Sequence, residues 1–273
     1  MKLLPLTAVF LILYLTRVSA TLEPRLSYKK RQDKPACRNT HTIFSKDTGA
    51  WNADSSPEGT FDITPDGLKM NILPPEHYER LIHAETKLPY NKEAGRGPTF
   101  NSSTYMHYGN FSAKVKSSPV GGAITAVILI ADGGDEIDFE LIGGVPHTAQ
   151  TNYFWGKHPL YTVNGGTHDI EGAPVYEEFH EYVINWTPDV IVWKIDGKEI
   201  RRKERQQTCE ENGVCKFPSH PARVQIGFWD GSYEFGTAEW AHGPINWDEH
   251  DMISSYLQEV VVECDPDYNQ IVD

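Results

Sequence analysis

Short apolar runs separated by turn residues dominate the chain from about residue 41 onward. Residues 111–116, 182–186 and 190–195 alternate or are rich in β-branched and aromatic side chains, which is typical of strands. Residues 123–131 are continuously apolar, so they predict a strand buried on both faces. Asp196-Gly197 predicts a tight hairpin. The pattern therefore predicts an all-β fold, an antiparallel jelly-roll β-sandwich of two facing sheets.

The rest of the chain fits one domain of this class. Two further strands are expected at residues 222–229 and 256–263, and a weak helical period suggests a helix at residues 75–86. The chain has 273 residues, of which 39% are hydrophobic, enough to bury a single large core.

The N-terminal residues 1–20 have the layout of an export signal. Lys2 precedes an apolar run at residues 3–15, and small residues follow at positions 18–20. This run is shorter than the roughly 20 apolar residues that a membrane-spanning helix needs. We expect a secreted, extracellular protein without a transmembrane segment. The expected organisation is a signal peptide (1–20), a linker or propeptide (21–40), one folded domain (41–265) and a tail (266–273).

The net charge of −13 argues against some partners. An acidic chain repels phosphate backbones, so no nucleic-acid partner is expected. A neutral polymer such as a polysaccharide is compatible with this charge. We expect a monomer.

The chain has four cysteines, and an even number in an exported protein suggests two disulfides. Three pairings are possible, and we favour Cys209–Cys215 and Cys37–Cys264. The cysteine and histidine spacings match no zinc pattern, so neither a metal site nor a cofactor is predicted. Three sequons predict glycan acceptors at Asn101, Asn110 and Asn185.

Residues 133–144 carry the chemistry. In a strand, alternation puts Glu136, Asp138 and Glu140 on one face and three apolar side chains on the other. Like charges on one strand face repel each other, and no cation lies among them. The alternative is a solvated face of an acidic protein. We favour a catalytic site, because clustered carboxyls favour a group that holds a proton.

Two carboxyl groups about 5–5.5 Å apart suit a retaining glycosidase, and a bowed strand could bring Glu136 and Glu140 that close. We expect Glu136 to attack the anomeric carbon, and Glu140 to protonate the leaving oxygen and later act as base. Asp138 is expected to hydrogen-bond Glu136 and, by its charge, to keep Glu140 protonated. Spacing alone does not force these roles.

Residues 136–140 resemble the E-x-D-x-E signature of glycoside hydrolase family 16. More narrowly, the chain is similar to the fungal Crh branch, the chitin–glucan crosslinking transglycosylases. The resemblance covers about residues 100–250, with supporting stretches at 108–115, 151–154, 224–229 and 236–243.

The resemblance implies a concanavalin-like jelly roll with a substrate cleft across its concave sheet. It also implies Glu136 as nucleophile, Glu140 as proton donor, a chitin donor, and a β-glucan or chito-oligosaccharide acceptor. Trp229 and Thr237 fall where the family contacts chitin. Gln225 stands where the family commonly has a basic residue.

Other candidate sugar contacts follow from residue type. Gln150, Asn152 and Tyr153 come soon after the carboxylate strand, and their polar groups could bind sugar hydroxyls. Trp240, like Trp229, could stack on a sugar ring, whereas core positions are expected for Trp186 and Trp193. Two alternatives to a transglycosylase remain open: a secreted chitin or β-glucan hydrolase, and a non-catalytic sugar-binding wall protein.

Overall fold

The computed structural model describes residues 34–46, 48–49, 51–53, 56–157 and 160–273. The predicted signal peptide and most of the predicted linker lie outside these residues.

Among the described residues, strands form almost all of the regular structure. In chain order they are β1 (Ala36–Cys37), β2 (Thr40–Ile43), β3 (Trp51–Asn52), β4 (Phe61–Thr64), β5 (Gly67–Ile72), β6 (Arg80–Ile82), β7 (Pro89–Asn91), β8 (Thr99–Ser102), β9 (Gly109–Lys116), β10 (Ala123–Ile130), β11 (Glu136–Ile142), β12 (Thr148–Phe154), β13 (Gly166–Asp169), β14 (His180–Trp186), β15 (Val190–Ile195), β16 (Lys198–Glu204), β17 (Arg223–Asp230), β18 (Ile253–Cys264) and β19 (Gln270–Ile271). Two short helices accompany them, a 3₁₀ turn at Arg205–Thr208 and α1 at Phe235–Trp240.

Two antiparallel sheets make the predicted jelly-roll sandwich. The first has seven strands in the order β13-β12-β11-β10-β17-β8-β3. The second has eight in the order β16-β15-β14-β9-β18-β5-β4, with β2 also paired to β18. The all-β prediction and its strand positions are confirmed, with ends that shift by a few residues.

The core lies between the sheets, and alternation along β11 fills part of it. Ile137, Phe139 and Leu141 are buried, as the period-two pattern predicts. Across the core, the Phe139 ring meets the Tyr182 ring edge to face at 5.3 Å between centroids. Trp193 of the eight-stranded sheet donates from its indole nitrogen to the Asp138 carbonyl oxygen at 3.1 Å. The packing thus ties the centre of β11 to the opposite sheet.

Trp193 and Trp186 are fully buried, which confirms their predicted core positions. The Asp196-Gly197 hairpin is also confirmed: both residues have positive φ, 49° and 79°, as a type I′ turn requires.

The predicted helix at residues 75–86 is wrong. This segment contains β6, which pairs with β7 in a small hairpin. Tertiary contacts hold the hairpin: the buried Asn91 donates from its backbone to the Ser232 carbonyl at 2.7 Å and from Nδ2 to the Ile245 carbonyl at 3.0 Å. No local periodicity reveals such distant partners.

The two favoured disulfides, Cys37–Cys264 and Cys209–Cys215, are both present. Beside the first, β1 pairs in parallel with β19. The strand pairing therefore extends past both ends of the 41–265 range. Among the described residues, none lies in a helix long and apolar enough to cross a membrane.

Candidate active site

Three carboxyl side chains lie on one face of β11, which we call the acid face of the seven-stranded sheet. Glu136 and Glu140 are half-buried, and Asp138 between them is 2% exposed. The apolar residues between them point into the core, so a one-residue shift of the strand would bury all three acids there.

Close backbone approaches fix both ends of this strand. Gly134 has φ +92°, and a Cβ there would lie 2.4 Å from the Gly156 carbonyl oxygen. At the other end, a Cβ on Gly143 would lie 1.9 Å from the Val120 carbonyl oxygen. Only glycine fits either position, as the paired glycines around the strand suggested.

Asp135, the residue just before β11, holds the start of the strand in place through its side chain. It is buried, and its Oδ1 accepts from the Gly156 backbone at 2.8 Å. Its Oδ2 accepts from the Ser219 and His220 backbones at 2.8 and 3.1 Å and lies 2.7 Å from His220 Nδ1. Asp135 therefore has a structural place that differs from that of the three acids beyond it.

The sheet register places neighbours beside each acid, because residues directly opposite in antiparallel strands share a face. Asp138 lies opposite Asn152 on one side and Ile128 on the other, and Ile128 in turn lies opposite Gln225. Glu140 lies opposite Gln150 and Ala126. The acid face thus combines carboxyl and carboxamide groups with small or aliphatic side chains.

Burial and mutual repulsion set the protonation of the acids. Burial first, then the charge of Glu136, raises the pKa of Glu140 to about 7. Burial raises the pKa of Glu136 as well, but a hydrogen bond with Asp138 opposes that shift. The pKa of Asp138 is well above its usual range, because it is buried between the charges of Glu140 and Glu136.

These pKa shifts bear on the role expected of Asp138. The raised pKa of Asp138 favours its neutral form, which hydrogen-bonds Glu136, whereas the charge that raises the pKa of Glu140 is that of Glu136. One Asp138 oxygen, Oδ1, is buried without a hydrogen-bond partner in the described part of the chain. The arrangement can supply one anionic carboxylate and one carboxylic acid to a bound molecule.

Several predicted sugar contacts do lie on the acid face. Gln150, Asn152, Gln225 and Trp229 share it with the acids by strand register and are all half-buried. Gln225 Nε2 donates to Asn101 Oδ1 at 2.8 Å.

Trp240 and Thr237 come from α1, a helix that the sequence pattern did not predict. Positions three apart lie on the same side of a helix, so Thr237 lies on the side of Trp240. The Trp240 ring stacks on Trp229 with 6.0 Å between centroids and 21° between planes. Its indole nitrogen donates to Gln150 Oε1 at 2.8 Å.

Tyr153 is misassigned as a sugar contact. It lies opposite Ile137 and so points to the core face, where it is 3% exposed. Alternation with Asn152 already carries this information, since neighbours in a strand face opposite sides.

Arg223 is an acid-face residue that sequence reasoning missed. It lies opposite Ile130, which lies opposite Glu136. Its Nη2 lies 2.9 Å from Asp132 Oδ1, and its guanidinium lies 4.9 Å above the Tyr105 ring. Residues two apart in a strand lie on the same face, so the position of Arg223 two residues before Gln225 would have placed it on the acid face.

The three sequon asparagines lie in different surroundings. Asn101 lies on the acid face beside Gln225, whereas Asn110 and Asn185 are directly opposite each other in the eight-stranded sheet. Glycosylation remains a prediction at each. In the described part of the chain, no cluster of three His, Cys, Asp or Glu side chains is placed to hold a metal ion.

Comparison with known proteins identifies the family of the chain. The family model "Glycosyl hydrolases family 16" matches residues 74–249. "Crh-like protein 3" of Botryotinia fuckeliana is 42% identical over 160 residues, covering 57% of this chain and 35% of its own length. "Congo red hypersensitive protein 2" of Saccharomyces cerevisiae is 32% identical over 239 residues, covering 84% and 49%. The chain thus spans about a third to a half of these relatives.

Among solved structures, "Crh5 transglycosylase in complex with NAG" superposes with a TM-score of 0.69 at 25% identity. The superposition covers 85% of this chain and 86% of that one. The family match spans more than half of the chain and includes the carboxylate strand. This chain therefore belongs to glycoside hydrolase family 16.

Proposed function

We propose that the protein is a retaining transglycosylase of the cell wall that cleaves β-1,4-linked chitin and transfers it to a β-glucan or chito-oligosaccharide acceptor. The grouping of Glu136, Asp138 and Glu140 on one strand face carries this proposal, together with a pKa of Glu140 that burial and the charge of Glu136 raise to about 7. Glycoside cleavage needs one carboxylate and one carboxylic acid, and membership of glycoside hydrolase family 16 supports retention. The named Crh relatives and the sugar-bound Crh5 structure support the choice of substrate.

In the first step, the Glu136 carboxylate attacks the anomeric carbon of the donor. The glycosidic C–O bond breaks, and the leaving oxygen takes the proton of Glu140. The product is a glycosyl ester of Glu136. Its formation removes the charge that raised the pKa of Glu140, so this pKa falls and Glu140 can remain as carboxylate.

In the second step, Glu140 takes the proton of an acceptor hydroxyl. The acceptor oxygen attacks the anomeric carbon, and the ester bond breaks to restore the Glu136 carboxylate. Two inversions give net retention. Asp138 keeps its proton throughout and stabilises Glu136 each time it is anionic.

The proposal includes secretion, with residues 1–20 as signal peptide, 21–40 as linker or propeptide, a catalytic domain at 41–265 and a tail at 266–273. The β1–β19 pair joins the end of the linker to the tail. Relatives named as Crh-like proteins support a place at the fungal cell wall. A sugar-binding protein without catalysis does not need three carboxyl groups crowded on one strand, because their burial costs free energy.

Incubation with chito-oligosaccharides and a labelled β-glucan oligosaccharide, followed by mass spectrometry, tests the proposal. Labelled hybrids longer than either substrate are expected. Products that are only shorter than the donor would replace the transferase with a hydrolase. Intact substrates would favour the sugar-binding alternative.

A further inference from the structure

One hydrogen bond joins α1 to the strand beside the general acid. Trp240, the last residue of α1, donates from its indole nitrogen to Gln150 Oε1 at 2.8 Å. Gln150 lies directly opposite Glu140 in the β11–β12 pair, so their Cβ atoms are about 5 Å apart. The helix thus acts on the immediate neighbour of Glu140.

This bond fixes which way the Gln150 carboxamide points. An indole N–H can only donate, so the carbonyl oxygen of Gln150 must face Trp240, and its NH₂ group must point away. In the described part of the chain, Nε2 of Gln150 has no hydrogen-bond partner and is not among the buried unpartnered atoms. Gln150, directly opposite Glu140 in the sheet, therefore keeps two free N–H donors.

Trp240 itself is held on a second side. Its ring stacks on Trp229 with 6.0 Å between centroids. Stacking and the hydrogen bond together restrict the indole, so the direction of its N–H is set before any sugar arrives. Trp240 thus has a partner for its polar atom and a partner for its ring within the protein.

We propose that Trp240 is a positioning residue, which orients Gln150 to donate to an oxygen of the sugar on the Glu140 side of the reacting bond. This sugar is the leaving group in the first step and the acceptor in the second. The inference rests on the proposed function, since Glu140 exchanges its proton with the same sugar. It assigns recognition of the acceptor to the Trp240–Gln150 pair.

The experiment uses an aryl β-glycoside of a chito-oligosaccharide as donor and an unlabelled oligosaccharide as acceptor. Aryl release reports the first step, where the aryl group offers no sugar hydroxyl to Gln150, and product yield against acceptor concentration reports the second. Trp240→Phe keeps an aromatic ring but removes the donor, and Gln150→Leu removes the carboxamide. Each should raise the half-saturating acceptor concentration about 10-fold, the size of one lost hydrogen bond. This change should exceed any change in aryl release.

A double-variant cycle separates positioning from mere proximity. The double variant Trp240→Phe, Gln150→Leu should bind the acceptor no more weakly than the poorer single variant, because both changes break the same hydrogen bond. As a matched contrast, the effects of Trp240→Phe and Gln225→Leu on the half-saturating acceptor concentration should multiply when the two changes are combined. The reason is that Gln225 donates to Asn101 and not to the Trp240–Gln150 pair. Thermal unfolding checks that each variant is folded.

Two results would overturn the inference: acceptor saturation equal to that of the unchanged protein, or effects of Trp240→Phe and Gln150→Leu that multiply. Absence of aryl release and of any transfer by the unchanged protein would instead overturn the proposed function, and the inference with it.

Discussion

Glutamates on the acid face and glutamates exposed to solvent respond to their surroundings in opposite directions. Burial raises the pKa of Glu136 and Glu140, and no cation pairs with either among the described residues. Glu199 is solvent-exposed, and its hydrogen bond with Arg202 lowers its pKa, as Lys198 does for Glu171. A glutamate side chain is thus either a proton donor or an inert anion, depending on its exposure to water and on the partner of its carboxyl group.

The difference shows why an acidic protein can carry a proton donor at neutral pH. Exposed carboxyls stay ionised because water and lysine or arginine stabilise the charge. On the acid face, neither water nor a lysine or arginine stabilises the carboxylate charges enough. The charge of one carboxyl group therefore raises the pKa of its neighbour. Only a region like the acid face can transfer a proton from a carboxyl group to a substrate.

The largest effect is expected at Glu136. Glu136→Gln removes the nucleophile, so formation of the glycosyl-enzyme should fall by at least about three orders of magnitude. Glu199→Gln is the matched control on the exposed region and should leave turnover unchanged. Product formation by chromatography checks both. Near-normal turnover in the Glu136 variant would remove the catalytic difference between the two regions.

Glu140→Gln should lower cleavage of an oligosaccharide donor by about 10²–10⁴-fold, the usual contribution of a general acid. A donor with a phenolate leaving group needs less protonation, so its cleavage should fall much less. Initial rates on both donors provide the measurement. Equal losses on the two donors would contradict the role of Glu140 as acid.

Variants of Asp138 test whether this residue acts on the two glutamates through a hydrogen bond from its protonated carboxyl group or through a negative charge. Asp138→Leu removes the hydrogen bond to Glu136 and should cost about 10–100-fold in kcat/KM. Asp138→Asn keeps a neutral donor of the same shape and should retain more activity than the leucine variant. Equal losses in the two variants would mean that Asp138 works through its charge, which both substitutions remove.

Activity should also depend on pH in a direction that the pKa shifts determine. The reacting form needs Glu136 ionised and Glu140 protonated, and the pKa of Glu140 is about 7. Above pH 7 the rate should fall about tenfold per pH unit, because the acid loses its proton. In Glu140→Gln this basic decline should disappear. A profile of kcat/KM from pH 4 to 9 is the measurement.

The smallest effect concerns stability. Folding raises the pKa of Glu140 from 4.5 to about 7, so the folded protein binds more protons within that range. Stability is therefore lost as pH rises from 4.5 through 7. Glu140→Gln should stabilise the protein at pH 8, by at most about 3 kcal/mol, and by less as the pH falls. Urea unfolding at pH 5 and 8 measures this, and a variant less stable at pH 8 would contradict it.

Strand alternation made much of the site predictable. It placed Glu136, Asp138 and Glu140 on one face and Phe139 in the core, as the structure has them. The same rule, applied to β12 and β17, would have excluded Tyr153 and found Arg223. These two misses came from reading residue type before position, since the necessary information was already present in the sequence.

Other features have no local signal. The helix predicted at residues 75–86 is a hairpin because Asn91 bonds Ser232 and Ile245, more than a hundred residues away. The Trp240–Gln150 hydrogen bond likewise joins residues 90 apart, and Trp240 reaches it from a helix of six residues.

The sequence by itself determined the all-β class, the face of each acid and the composition of the core, because backbone geometry imposes a period of two on every strand. Tertiary structure alone decided which acid keeps its proton and which donor faces the substrate. Those properties depend on burial, on the charges of neighbours and on the direction of hydrogen bonds, and packing between distant segments sets all three.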